Sequence, residues 1–243
     1  MNINKYLVLK VENNKVFEVE EAVCSEEIFS LYLNDKFIVN LIASPDRVEE
    51  FGAGYVVCEG LANNIQGVKF SNNKIYIYAK ETREFHPELR SSGCIGTQAA
   101  EIKKVNSDIK IDARDIHEFA GALESESWRK TGCFHCSALF CNKELITKSC
   151  DIGRHNTIDK VVGYAALNNI DLTRCVIACT GRQPRGMIFK VANAGIPVVI
   201  SRAAPTDKGI LAAKEARISL ICFARGNKFN VYSHAERINF NVI

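Results

Sequence analysis

Arg174-Cys175-Val176-Ile177-Ala178-Cys179-Thr180-Gly181-Arg182-Gln183-Pro184-Arg185-Gly186 decides the fold class. An apolar run of strand length passes straight into a turn of glycine, arginine and hydroxyl residues, and a helix follows over about 184–194. A short apolar run bounded by turn residues reads as a buried strand. The same unit then recurs. Pro197–Ile200 is a second strand, about 207–216 a helix, Ser219–Phe223 a third strand, and about 156–167 a helix preceding the first. Strands alternating with helices predict an α/β layer around a largely parallel sheet. A last strand, Phe229–Tyr232, follows the Gly226-Asn227 turn and is expected to lie antiparallel to its neighbour.

Working outward towards the N-terminus, the pattern becomes β-rich. Residues 3–11 and 15–20 read as strands, and Leu31–Ile42 as a hairpin turning at Asn34-Asp35, a pair that tolerates the turn conformation. Ser44-Pro45 predicts a helix start, with Ser44 as N-cap, an apolar stripe at Val48, Phe51, Tyr55 and Val56, and an end at Gly60. Strands are expected at 66–70 and 74–80, a helix over Ile111–Leu123, and an antiparallel pair at Phe134–Phe140 and Glu144–Ser149. The change of pattern predicts two domains, 1–110 and 111–243.

The chain of 243 residues is 47% apolar and 24% charged, an ordinary globular composition. It holds no apolar run of membrane-spanning length, and its polar N-terminus lacks a signal h-region. The cytoplasm is therefore the expected location. Charge is uneven. From Asp171 onward there are eleven Lys and Arg against four Asp and Glu, which suggests an anionic ligand.

Those basic residues fall in turns. Cys150–Asn156, Thr180–Gly186, Ser201–Thr206 and Arg225–Lys228 each follow a strand and each carry Arg or Lys beside Gly or a hydroxyl residue. Ligands of open α/β sheets bind outside the carboxyl ends of strands. Glycine admits close backbone approach, a helix N-terminus favours an anion, and Arg supplies a planar fork for phosphate. A basic crevice for a phosphate-bearing ligand follows, although neither a P-loop nor a G-x-G-x-x-G sequence is present.

Ten cysteines are scattered along the chain. Cys175, Cys179 and Cys222 sit in apolar runs and read as buried hydrophobes. Cys133-Phe134-His135-Cys136 admits three readings: a redox dithiol, half of a zinc site completed from Cys141, Cys150 or His155, or strand residues on opposite faces. Asp151 with Arg154 and His155 is either a catalytic group or a helix cap. Arg90-Ser91-Ser92-Gly93-Cys94-Ile95-Gly96-Thr97 shows neither helical nor strand periodicity and looks like a loop presenting one thiol.

Taken together these stretches resemble the formate dehydrogenase accessory sulfurtransferase family (FdhD). The resemblance rests on Leu33-Asn34, Ile42-Ala43-Ser44-Pro45, Phe51-Gly52-Ala53-Gly54-Tyr55 and Glu59-Gly60 in the first part. In the second part it rests on Thr131-Gly132 with His135, Asp151–Asn156 with Asp159-Lys160, Thr180-Gly181-Arg182, Ala194–Val198, Ala204-Pro205-Thr206 and Phe229–Tyr232. It implies an α+β chain in which a smaller β-rich N-terminal domain precedes a three-layer α/β domain similar to cytidine deaminase.

It also implies a function. Sulfur is taken from a cysteine desulfurase as a persulfide and passed to the molybdenum cofactor, in its bis(molybdopterin guanine dinucleotide) form, for formate dehydrogenase. A cofactor-binding chaperone without sulfur chemistry is the alternative. Cys94 matches the persulfide-carrying cysteine, with His135 as an assisting catalytic group. Phe223-Ala224-Arg225-Gly226-Asn227-Lys228 matches the segment associated with the guanine nucleotide cofactor, and Thr180, Gly181, Arg182 and Arg202 join it. The expected partners are the desulfurase, the formate dehydrogenase catalytic subunit and a second copy of the chain, with no resident metal, nucleic acid or membrane. Many relatives carry C-x-x-C in the loop. Here Thr97 holds the second position, so any second thiol must come from elsewhere.

Overall fold

The computed structural model describes residues 3–82, 87–89, 95–97 and 101–241. Strands β1 (Ile3–Glu12) and β2 (Lys15–Cys24) form a hairpin of their own. β3 (Glu27–Leu33) and β4 (Lys36–Ala43) lead into helix α1 (Val48–Cys58), followed by β5 (Ala62–Ser71) and β6 (Lys74–Glu81). These four strands form a sheet in the order β4-β3-β6-β5. The backbones of β7 (Pro87–Leu89) and β8 (Ile95–Thr97) pair antiparallel. Cys94 lies outside the described residues.

Beyond residue 101 come β9 (Ile111–Asp112), α2 (Ala113–Gly121), α3 (Glu126–Thr131), β10 (His135–Cys141), β11 (Glu144–Asp151) and α4 (Arg154–Leu167). Then follow β12 (Cys175–Cys179), α5 (Arg185–Ala194), β13 (Val198–Ser201), α6 (Asp207–Glu215), β14 (Ser219–Arg225), β15 (Lys228–Ser233) and β16 (Ile238–Asn239). Six strands form the main sheet in the order β11-β10-β12-β13-β14-β15. β12, β13 and β14 are parallel, and β15 is antiparallel to β14. The predicted mixed α/β class and its parallel centre therefore stand.

Alternation along the strands sorts their side chains onto two faces. Cys175, Ile177, Cys179, Val199, Leu220 and Cys222 pack against α4, α5 and α6 in one core. Val176, Ala178, Val198, Ile200 and Ile221 pack against Ile116 and Phe119 of α2 in another. The result is three layers, helix–sheet–helix. The smaller sheet has its own core, in which Leu31, Ile75 and Ile77 meet Phe51 of α1. Ile102 and Val105 already belong to the larger core.

Four hairpins turn on two residues that both have positive φ: Asn13-Asn14, Asn34-Asp35, Asn72-Asn73 and Asn142-Lys143. Asn and Asp tolerate this left-handed pair, whose twist suits adjoining strands. The predicted turn at Asn34-Asp35 is one of them.

Two local expectations are corrected, and one element is added. The first helix begins at Val48 behind Arg47 (φ 53°), and Ser44 is not its N-cap. The backbone of Ser44 is engaged elsewhere: its N–H donates to Asp151 Oδ2 at 3.0 Å and its carbonyl accepts Lys160 Nζ at 3.1 Å. Residues 111 and 112 are not helical but pair with β16, so the helix predicted from Ile111 starts at Ala113. α3 is not among the predicted elements, although its signals are in the sequence. The Ser125 side chain accepts the Trp128 N–H, and Gly132 closes the helix with φ 67°, a short serine-to-glycine bracket.

The two sheets are joined through α1 and α4. A Cβ on Gly54 would lie 1.7 Å from the Asp159 carbonyl oxygen, and one on Gly163 would lie 1.8 Å from that of Glu50. The two backbones therefore touch, and only glycine permits it. Buried ions flank this crossing. Lys160, fully buried, bonds Asp151 at 2.7 Å and Asp46 at 2.9 Å. Lys190 bonds Asp159 at 2.8 Å and Glu59 at 3.0 Å. Burial pushes the Asp159 carboxyl up, against the pull of Lys190. Burial would lower Lys190, but Asp159 and Glu59 more than offset it and hold the ammonium above its ordinary range.

Candidate functional site

The antiparallel entry of β10 brings its first residue to the same edge of the sheet as the carboxyl ends of β12, β13 and β14. His135 therefore stands beside the turn after Cys179. Its Nδ1 lies 3.1 Å from Thr180 Oγ1. That hydroxyl also accepts the Cys136 N–H at 3.0 Å, and the Thr180 N–H returns to the Cys136 carbonyl at 2.9 Å. With its oxygen occupied, Thr180 has its own proton free for Nδ1, which favours an imidazole protonated at Nε2. Burial, then the charges of Arg154 and Arg182, lower the pKa of His135 below the usual imidazole value. The ring is thus neutral at neutral pH.

The three parallel strand ends are laced together. Arg202 N–H donates to the Cys179 carbonyl at 3.0 Å, and Phe223 N–H to the Ala203 carbonyl at 3.2 Å. Ser201 Oγ and Gln183 Nε2 both donate to the Gly181 carbonyl, at 2.8 and 2.7 Å. Gly181 itself is overlaid by the Arg154 side chain, whose Cβ would stand 2.8 Å from a Cβ placed there. These bonds fix the backbone from which Arg202 and Arg225 project.

Above this edge opens a cavity of about 460 Å³. His135, Thr180, Arg202 and Arg225, all anticipated from sequence, line it together with Cys133, Trp128 and Arg129. Such a volume accommodates a small molecule or part of a larger one. Its guanidinium groups suit phosphate oxygens. Of the other anticipated residues, Arg182, Gly226, Asn227 and Lys228 are exposed at the same edge but do not line the cavity. Gly226, with φ 59°, is the first of the two loop residues between β14 and β15, the place where a tight hairpin turn takes glycine. Ala224 is buried in the core against α2, not presented to the cavity.

Phe223 has φ 56° at an irregularity of β14. A bulky aromatic residue in that region is strained. The Arg225 guanidinium lies 5.9 Å from the centre of its ring. Sequence reasoning misses Trp128 and Arg129 because it misses α3.

Asp151, read as catalytic or capping, is fully buried. Besides Lys160 and Ser44, it accepts the Gly153 N–H and Asn156 Nδ2, each at 2.8 Å, so it orders the turn before α4 and ties it to the segment after β4. The Cys133–Cys136 pair is not bonded to itself. Cys136 forms a disulfide with Cys150, directly opposite it on β11, and Cys133 faces Cys24. Two of the ligands weighed for zinc are thus joined to each other, and among the described residues no group of three or more His, Cys, Asp or Glu is set to hold a metal ion.

Comparison with known proteins places this geometry in company. Residues 24–239 match the model of the FdhD/NarQ family. "Protein FdhD" of Methanocaldococcus jannaschii is 34% identical over 232 residues, covering 95% of this chain and 96% of that protein. "Sulfur carrier protein FdhD" of Wolinella succinogenes is 30% identical over 256 residues, covering 98% and 90%. A solved structure from Desulfotalea psychrophila, described as a formate dehydrogenase accessory protein, superimposes with a TM-score of 0.86 at 27% identity, over 98% of this chain and 99% of that one.

Proposed function

The chain belongs to the FdhD/NarQ family, and from that premise we propose that it is a sulfur carrier that serves formate dehydrogenase. In this reading Cys94 takes sulfane sulfur from a cysteine desulfurase by attack of its thiolate on the donor persulfide. It then hands the sulfur to the molybdenum cofactor, in its bis-guanine dinucleotide form, held as cargo at the basic edge. The observation that carries the reading is the cavity at which His135, Thr180, Arg202 and Arg225 meet. The arginines hold the cargo's phosphates, and the Thr180 hydroxyl orients His135. No helix among the described residues is long and apolar enough to cross a membrane.

Exposed apolar side chains on the β1–β2 hairpin, among them Leu7, Leu9 and Val11, support the homodimer that belongs to this reading. Light scattering reads it as a doubled molar mass, and a monomer at micromolar concentration removes it.

The test is sulfur loading. Incubated with desulfurase and cysteine, the protein gains one sulfur on the peptide carrying Cys94, and Cys94→Ala does not. Equal loading of Cys94→Ala, with full support of formate dehydrogenase, would favour the chaperone alternative.

A further inference from the structure

Outside the loop that carries Cys94, two thiols meet beside the cavity, and one of them lines it. Cys24, the last residue of β2, places its Sγ 2.6 Å from that of Cys133, 109 residues away. This is inside ordinary sulfur–sulfur contact and close to the approach from which a disulfide forms. Cys133 is exposed and lines the cavity with Arg202, Arg225 and His135. Cys24 packs against the apolar patch around Cys136 and Cys150. The pair is therefore held from two separate elements, with one thiol facing the ligand space.

The chemistry of sulfur transfer leaves a task for such a pair. The outer sulfur of a persulfide is at the sulfane level, whereas a sulfido ligand on a metal is two electrons more reduced. A dithiol supplies two electrons on closing to a disulfide. We propose, resting on the sulfur-carrier reading above, that Cys24 and Cys133 form a two-electron couple that reduces persulfide sulfur to sulfide within the cavity.

The step balances. The Cys133 sulfur attacks the outer sulfur of R–S–SH, a new S–S bond forms, R–SH leaves, and the Cys133 proton passes to solvent through the open cavity. Cys24 then attacks Cys133 Sγ; the Cys24–Cys133 bond forms as the bond from Cys133 Sγ to the transferred sulfur breaks, and sulfide leaves with the proton given up by Cys24. In sum, R–S–SH and two cysteine thiols give R–SH, one disulfide and hydrogen sulfide. The sulfane sulfur gains two electrons and the cysteine pair loses two. An external thiol reductant returns the pair to the dithiol.

The surroundings suit a reductant. Burial, then the hydrogen bond and charge from Cys24, push the Cys133 thiol up to about 11. A basic thiol is a poor leaving group, so a disulfide made from it resists reduction and the dithiol is strongly reducing. Cys133 is exposed to the ligand space, but the raised value leaves little thiolate at neutral pH, so the attack is expected to quicken as pH rises.

The experiment uses the full chain, reduced, freed of thiol under anaerobic conditions and mixed with glutathione persulfide. The expected result is about one sulfide released per chain, with a Cys24–Cys133 cross-linked peptide found by mass spectrometry. Cys133→Ser and Cys24→Ser, tested separately in case either disturbs the hairpin, each remove the cross-link and slow sulfide release at least 10-fold. Release at the wild-type rate in both variants, or release without the cross-link, overturns the proposal. The donor here bypasses the desulfurase, so loss of loading in Cys94→Ala bears on the carrier reading alone, and either result can fail without the other.

Discussion

The seam between the sheets and the rim of the cavity use the same kinds of residue in opposite ways. At the seam, Lys160 and Lys190 are almost fully buried, and each meets two carboxylates. At the rim, Arg202 and Arg225 line open space, and Glu124, the one acidic side chain among the described residues lining the cavity, is paired with Arg129. A buried charge is tolerated only when paired and hydrogen-bonded. Arg202 and Arg225 meet no carboxylate among the described residues, and cations at the mouth of a cavity are open to an anionic ligand. Which charges are structural and which are functional is therefore decided by their partners, not by residue type.

The sharpest way to break this contrast is Lys190→Met. Removing the cation leaves Glu59 and Asp159 facing each other in a dry seam, and a broken buried pair costs about 3–5 kcal/mol. Urea unfolding reads it, and a loss below ~1 kcal/mol would mean that the seam's charges are not mutually dependent.

Charge reversal at the rim, Arg202→Glu with Arg225→Glu, should leave the unfolding free energy within roughly 0.5 kcal/mol. Binding of guanosine diphosphate, used as a probe by calorimetry, should weaken at least ~10-fold, since each lost charge-assisted phosphate contact is worth about 1.5–3 kcal/mol. Unchanged affinity would move the ligand site elsewhere.

The smallest effect concerns His135. Its folded pKa is lowered, by burial first and then by Arg154 and Arg182. The unfolded chain therefore binds the proton more readily, so stability is fully present above the unfolded value near 6.5 and declines as pH falls through it towards the lower folded value. His135→Gln should flatten the denaturant midpoint against pH below about 6.5 and leave it unchanged at pH 8. An identical slope in both proteins would show that His135 does not titrate as placed here.

The basic rim was legible in the sequence because it depends on local order: a strand, then a turn with Gly and Arg, repeated. His135 was legible as a candidate, but its meeting with Thr180 needed the antiparallel placement of β10. The seam was not legible. Asp151, Asp159 and Lys160 fall in a motif with a conspicuous arginine and histidine, which invites a catalytic reading. Ser44 and Asp46, which meet Asp151 and Lys160, lie about a hundred residues earlier, and Lys190, which meets Asp159, lies 31 residues later, so no local pattern reveals such pairings. The thiol pairs were hidden for the same reason. Strand alternation rightly argues against Cys133 bonding Cys136, but it says nothing of Cys150 across the ladder or of Cys24 at the end of a distant hairpin.

The short parallel pair of β9 and β16 bears on the order of events during synthesis. Ile111 pairs with Ile238, and Asn239 Nδ2 donates to Asp112 Oδ1 at 3.1 Å. The strand that anchors the start of α2 must wait for a partner 127 residues later. Contacts so far apart in sequence form late, so on the ribosome α2 emerges long before its anchor is complete. Until then its apolar face is a hazard for association with neighbouring nascent chains.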